Sequence, residues 1–171
     1  MPDIIKIVLR CLLLLLVQVW VLDHIVIGGT WVVLFIYPLA ILKLPVNYSK
    51  ITTMLIGFAL GFVIDCFTGT YGLNASCGMM LGYARPFIVR LISGRDEMDE
   101  NITPSVSAPS LRWFLSLCFF GILVHSFWYF NFAQFNLSGL FKIQLRAILS
   151  ALCSFVIIVL ADILFSNPKK R

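Results

Sequence analysis

Asp65 is the residue best placed to do chemistry in this chain. It is a carboxylate in the series Gly57, Gly61, Asp65, Gly69, inside a run that is otherwise almost wholly apolar. A spacing of four brings these positions near one face of a helix, so the helix carries a bare stripe with a charge at its end. A charge among apolar residues has three readings: a tie between helices, a substrate or proton site, or an element of partner recognition. No chain of Asp, Glu or His continues from it, which weakens a proton path. The two histidines, His24 and His125, stand apart, and none of the five cysteines lies in a Cys-x-x-Cys pair. Neither a zinc site nor a disulfide framework is expected, and the cysteines read as small apolar packing residues. There is no Ser/His/Asp or Cys/His set, no paired carboxylates and no phosphate-cradling loop, so no enzyme, cofactor or metal is expected. Gln18 and His125 read as lone polar residues hydrogen-bonded between helices.

The elements that position Asp65 follow from composition. The 171 residues are 60% hydrophobic and 12% charged, whereas soluble domains carry about 25% charged residues. A bilayer core takes roughly 20 apolar residues per helix. We therefore expect one all-α integral membrane domain, 1–171, with six spans at 4–22, 25–42, 51–67, 71–92, 111–130 and 140–165. The first is expected to be a retained span and not a signal peptide, since Arg10 lies within it and no small-x-small cleavage site follows. The second is the weakest, because Gly28, Gly29 and Thr30 can break it and leave a helix of only about 18 Å. Charge counting retains it as a crossing, kinked at Pro38. With six spans and cytoplasmic termini, only Lys142 and Arg146 of the 13 basic residues fall outside, as the positive-inside rule requires. The net charge of +5 is thus a topology signal and not a nucleic-acid surface. The polar segment 93–110, with Asp96, Glu97, Asp99 and Glu100, reads as a cytoplasmic loop: a solvated linker or a docking tag.

The fourth span has its own four-residue series, Asn74, Gly78, Gly82, Pro86, and follows the third after a short turn. Spans 3 and 4 are then antiparallel neighbours whose glycine faces can meet each other or a foreign helix. Counting rise per residue separates Asp65 from Arg85 by about 18 Å. Arg85 is expected to snorkel to the inner interface, and Asp65 to form an intramembrane ion pair with Arg146 of span 6. Arg10 and Asp162 are expected to pair spans 1 and 6.

The run 57–86 resembles the signature hairpin of the rod-shape-determining MreD family, on Gly57, Gly61, Asp65, Gly69, Gly72, Leu73, Asn74, Tyr83, Arg85 and Pro86. The rest of the chain resembles that family only in length, span number and hydrophobicity. The resemblance implies a non-enzymatic subunit of the bacterial cell-elongation machinery in the inner membrane. It would bind MreC and link MreB filaments, indirectly, to the RodA glycosyltransferase and its penicillin-binding transpeptidase. It also implies a six-helix fold similar to the substrate-binding (S) component of energy-coupling-factor transporters. The chain departs from that second family in span 1, where Leu12–Leu16 stands in place of an Ala-x-x-x-Ala face. The favoured expectation is a small-residue groove on spans 3 and 4 that receives a partner's transmembrane helix, with Gly57, Gly61, Asp65, Gly69, Gly72, Asn74, Gly78, Gly82, Arg85 and Pro86 as partner-binding or packing positions. The competing one is a vitamin-type transporter subunit with Asp65 and Asn74 in an outward pocket.

Overall fold

The computed structural model describes residues 2–25, 31–93, 103–105, 110–134 and 139–165. Among the described residues six α-helices appear in chain order: α1 Pro2–Trp20, α2 Pro38–Leu42, α3 Lys50–Thr68, α4 Leu73–Ser93, α5 Leu111–Ala133 and α6 Leu140–Phe165; a 3-10 turn, Leu22–His24, follows α1. Strands are absent among the described residues. The acidic cluster of 93–110, with Gly28, Gly29 and Thr30, lies outside them.

Among the described residues four helical segments are long and apolar enough to cross a membrane: Ile4–His24, Lys50–Thr68, Leu111–Ala133 and Leu140–Leu164. They lack interior proline, and Leu, Ile and Phe dominate them, so lipid-facing side chains carry the hydrophobicity. Helix α4 is just as long but less apolar, because Asn74, Ser76, Arg85 and Pro86 interrupt it. Local signals set the helix ends. Ser49 caps α3 by accepting from the Thr52 amide at 3.1 Å, and Ser110 caps α5 by accepting from the Trp113 amide at 3.3 Å. Gly69 ends α3 at φ 68°, its amide donating to the Asp65 carbonyl at 2.8 Å. That left-handed position favours glycine.

Helices α3, α4, α5 and α6 pack as successive neighbours, with the α3–α4 contact the most extensive. Helix α1 lies against α3 and α2. The small helix α2 sits wholly in the interior, and Gly121 of α5 lets the Leu42 side chain approach.

The expected helix over 25–42 does not form. The described part of that stretch is helical only at Pro38–Leu42; residues 33–36 are not helical, and Ile36 joins the helix only through its carbonyl, which accepts from the Leu39 amide at 3.0 Å. Their backbone alternates instead. The amides of Val33 and Phe35 turn to α6, at 3.0 Å from Ser150 Oγ and 2.9 Å from Ser154 Oγ. The Leu34 carbonyl and Ile36 amide turn to α1, where Gln18 donates from Nε2 at 3.0 Å and accepts at Oε1 at 2.8 Å. Leu34, Phe35 and Ile36 are all buried. Sequence reasoning overlooked what extended chain allows. At about 3.3 Å per residue, a strand covers the same depth with fewer than half the residues of a helix. Away from water its backbone groups must then find partners in the protein.

Candidate functional site

The hairpin that carries the motif closes on itself. A Cβ on Gly57 would run into the Gly78 carbonyl oxygen, and one on Gly61 into that of Asn74. A Cβ on Gly78 would meet the Gly57 carbonyl, and one on Gly82 would stand 2.6 Å from the Thr53 carbonyl oxygen. All four glycines therefore serve backbone-to-backbone contact between α3 and α4. This corrects the expectation that their face is a groove awaiting a foreign helix; of the two readings, packing is the one realised. Gly69 and Gly72 lie in the connecting turn with open space around them, at φ 68° and 89°.

Close approach places Asp65 of α3 at the start of α4. Its Oδ1 accepts from the Thr70 hydroxyl, from the Asn74 amide at 3.0 Å and from Asn74 Nδ2 at 3.1 Å. Its Oδ2 accepts from the Ala75 amide at 2.8 Å. The first amides of a helix have no partner within it, and a carboxylate there satisfies them and opposes the positive end of the helix. Asp65, only 6% exposed, is thus a cap supplied by the neighbouring helix. Its expected ion pair with Arg146 does not form. Arg146 instead donates to the Trp31 carbonyl at 3.4 Å and stands 5.2 Å from the Phe130 ring centre. The amides beside Asp65 already supply donors, and Arg146 faces the extended segment.

A polar chain continues inward from Asn74. Its carbonyl accepts from the Tyr37 hydroxyl at 3.2 Å, and that hydroxyl lies 2.6 Å from His125 Nε2 on α5. The tyrosine proton goes to the Asn74 carbonyl, so the contact to His125 needs a proton on Nε2. The tautomer that meets this leaves Nδ1 as an acceptor without a donor among the described residues, a smaller penalty than a stranded N–H. Phe35 packs edge-on to the same imidazole at 4.7 Å.

Arg85 does not snorkel. It is 2% exposed and reaches the end of α2, donating to the Leu44 carbonyl, and at 3.4 Å to those of Leu42 and Pro45. Carbonyls past the last turn of a helix lack helical partners and carry partial negative charge, which suits a buried guanidinium. Pro86 follows it within α4. Asp162 also finds a different partner from the one expected: it pairs with Lys43, and Arg10 donates to the Lys43 carbonyl at 3.4 Å.

The sequence reading missed Ser150, Ser154 and Lys43. A signal was present: Arg146, Ser150, Ser154 and Asp162 all fall on a four-residue spacing along α6. Four helical residues rise about 6.0 Å and two extended residues about 6.6 Å. Trp31, Val33 and Phe35 therefore keep step with Arg146, Ser150 and Ser154, and Lys43 meets Asp162 further on.

The hairpin's other side is open and aromatic. Phe58, Phe62, Phe67 and Tyr71, with Met79, Tyr83 and Phe87, are exposed there. Several of them border a shallow groove of about 510 Å³ that reaches Asp65. Groups of His, Cys, Asp or Glu able to hold a metal are absent among the described residues. Scans of family models, curated proteins and solved structures find no match to this chain.

Proposed function

We propose that this chain is a non-enzymatic scaffold of the bacterial cell-elongation machinery, of the MreD type. In this reading it crosses the inner membrane six times with both termini in the cytoplasm. Four crossings are the apolar helices, α4 is the fifth, and the extended segment with α2 completes the set in an arrangement similar to the transporter S component. It binds MreC and, through it, connects RodA, its penicillin-binding transpeptidase and, indirectly, MreB. One observation carries the reading: the residues of the resemblance converge in a single hairpin. Gly57, Gly61, Gly78 and Gly82 bring two backbones together, Asp65 caps α4 at Asn74, and Arg85 holds the end of α2. With the glycines engaged internally, the partner-facing side is the aromatic one around Phe62 and Tyr71.

Depletion of the protein in its own bacterium, followed by microscopy, tests the proposal. Widening and rounding of the cells is expected, reversed by the wild-type chain; cells that stay rod-shaped contradict it. A Phe62→Ala, Tyr71→Ala double variant should insert normally and lose most of its co-purification with MreC.

The transporter-subunit alternative draws on the unwound backbone at 33–36, a feature of membrane ligand sites. That backbone is engaged by Gln18, Ser150 and Ser154, and the Asp65 oxygens by Thr70, Asn74 and Ala75. Saturable binding of a small vitamin by the purified protein would favour the alternative.

A further inference from the structure

The groove of about 510 Å³ beside the α3–α4 hairpin is bordered by Asp65 and, along the same helix, by Phe58 and Phe62. Both phenylalanines are exposed, and they stack with ring centres 6.0 Å apart. They precede Asp65 by seven and three residues, so all three share one face of α3. The partners of the Asp65 carboxylate are neutral. Its Oδ1 takes three donors and its Oδ2 one, the Ala75 amide, so Oδ2 keeps room for a second. Neutral donors disperse the charge without cancelling it. Among the described residues no basic side chain pairs with Asp65. The basic residues outside the described ones, Arg95 and Lys169 to Arg171, follow α4 and α6 in the chain. They are tethered away from Asp65, which caps the start of α4. Arg85, about 18 Å along α4, reaches the same segment as Asp162 of α6.

We infer that this groove receives a transmembrane helix of another protein that carries one Arg or Lys, its cation bonded to Asp65 Oδ2. The inference rests on the scaffold reading and names the chemistry of its partner. An uncancelled carboxylate at membrane depth calls for a cation, and a lipid tail would cover the phenylalanines without supplying one. Asp65 lies three residues, about 4.5 Å, before the end of α3 at Thr68. The partner's basic residue therefore sits within about one turn of its outward end, with apolar side chains further in against Phe62 and Phe58. Basic residues favour the inward ends of spans, so one at the outward end is a specific signature.

The test uses the full chain, fluorescently labelled, in phosphatidylcholine vesicles with designed Leu/Ala transmembrane peptides, and reads binding by energy transfer. One peptide carries a single Arg near one end of its span; its control carries Gln there. Wild type should bind the Arg peptide about tenfold more tightly, the weight of a hydrogen bond between charged groups. Asp65→Asn should abolish that preference. Phe62→Lys, at an exposed position one turn from Asp65, supplies a competing cation while leaving the cap on α4 in place. It should abolish the preference too, and covers the case in which the Asp65 variant fails to fold. Equal binding of the two peptides by wild type overturns the inference, as does a preference that survives in Phe62→Lys. Energy transfer between two labelled copies that the Arg peptide cannot displace also overturns it, assigning the groove to a second copy. Each of these results leaves the scaffold reading standing, since that reading falls on the depletion experiment instead.

Discussion

The α3–α4 hairpin and the segment 31–43 are both places where main chain is brought close to a neighbour, and they achieve it by opposite means. In the hairpin, side chains are removed: Gly57 meets Gly78, and Gly61 meets Asn74, backbone to backbone. Each helix already satisfies its own amides, so the contact needs only space and one carboxylate, Asp65, at the start of α4. Along 31–43, side chains are added. Gln18, Ser150 and Ser154 bond amides and carbonyls that no helix satisfies, and Arg85 bonds those past the end of α2. Helical backbone in an apolar interior is held by what is absent, extended backbone by what is supplied.

That contrast can be tested, beginning with the largest effect. Gly61→Leu should cost about 3 kcal/mol or more, because the side chain collides with a carbonyl that cannot move without the helix. Denaturant titration in detergent should show the hairpin itself lost, where a partner-groove model expects a stable protein with a blocked surface. The double variant Ser150→Ala, Ser154→Ala should lose about 2–4 kcal/mol in the same assay, since each change strands a buried amide at roughly 1–3 kcal/mol. Ser150→Thr with Ser154→Thr, which keeps both hydroxyls, should recover most of it. Asp65→Asn keeps an oxygen but turns an NH2 group toward amide donors. It should cost about 1–3 kcal/mol, seen as faster hydrogen exchange at Asn74 and Ala75. Gly69→Ala should cost about 1 kcal/mol, from the left-handed backbone alone. Arg146→Gln should change stability by no more than about 1 kcal/mol, the weight of one hydrogen bond at a half-buried residue. An ion pair to Asp65 would make that loss far larger.

The hairpin was the more legible region for a physical reason. Glycine at every fourth position is a repeat of one residue type, and it marks helix, face and neighbour together. The helices α1, α3, α4, α5 and α6 follow from apolar length and fall within a few residues of their expected bounds. The segment 31–43 was not legible, since Trp31 to Tyr37 are apolar enough for either a helix or a buried strand. What decides between them lies elsewhere in the chain, in Gln18, Ser150 and Ser154. Each of these looks like an isolated polar residue until the extended segment is laid beside it. Charges misled in a related way. The sequence pairs Asp65, Arg85 and Arg146 with opposite charges or the membrane surface, whereas each bonds main-chain groups at a helix end or along the non-helical segment. Buried charge in this fold answers the partial charges of the backbone as often as it answers other ions.

The most direct measurement is solid-state NMR of the isotope-labelled protein in lipid bilayers, reading the Cα and Cβ shifts of Leu34, Phe35 and Ile36. The account predicts extended-chain shifts at all three, with the Val33 and Phe35 amides protected from solvent exchange and losing that protection in the Ser150→Ala, Ser154→Ala variant. Helical shifts through those residues would contradict it.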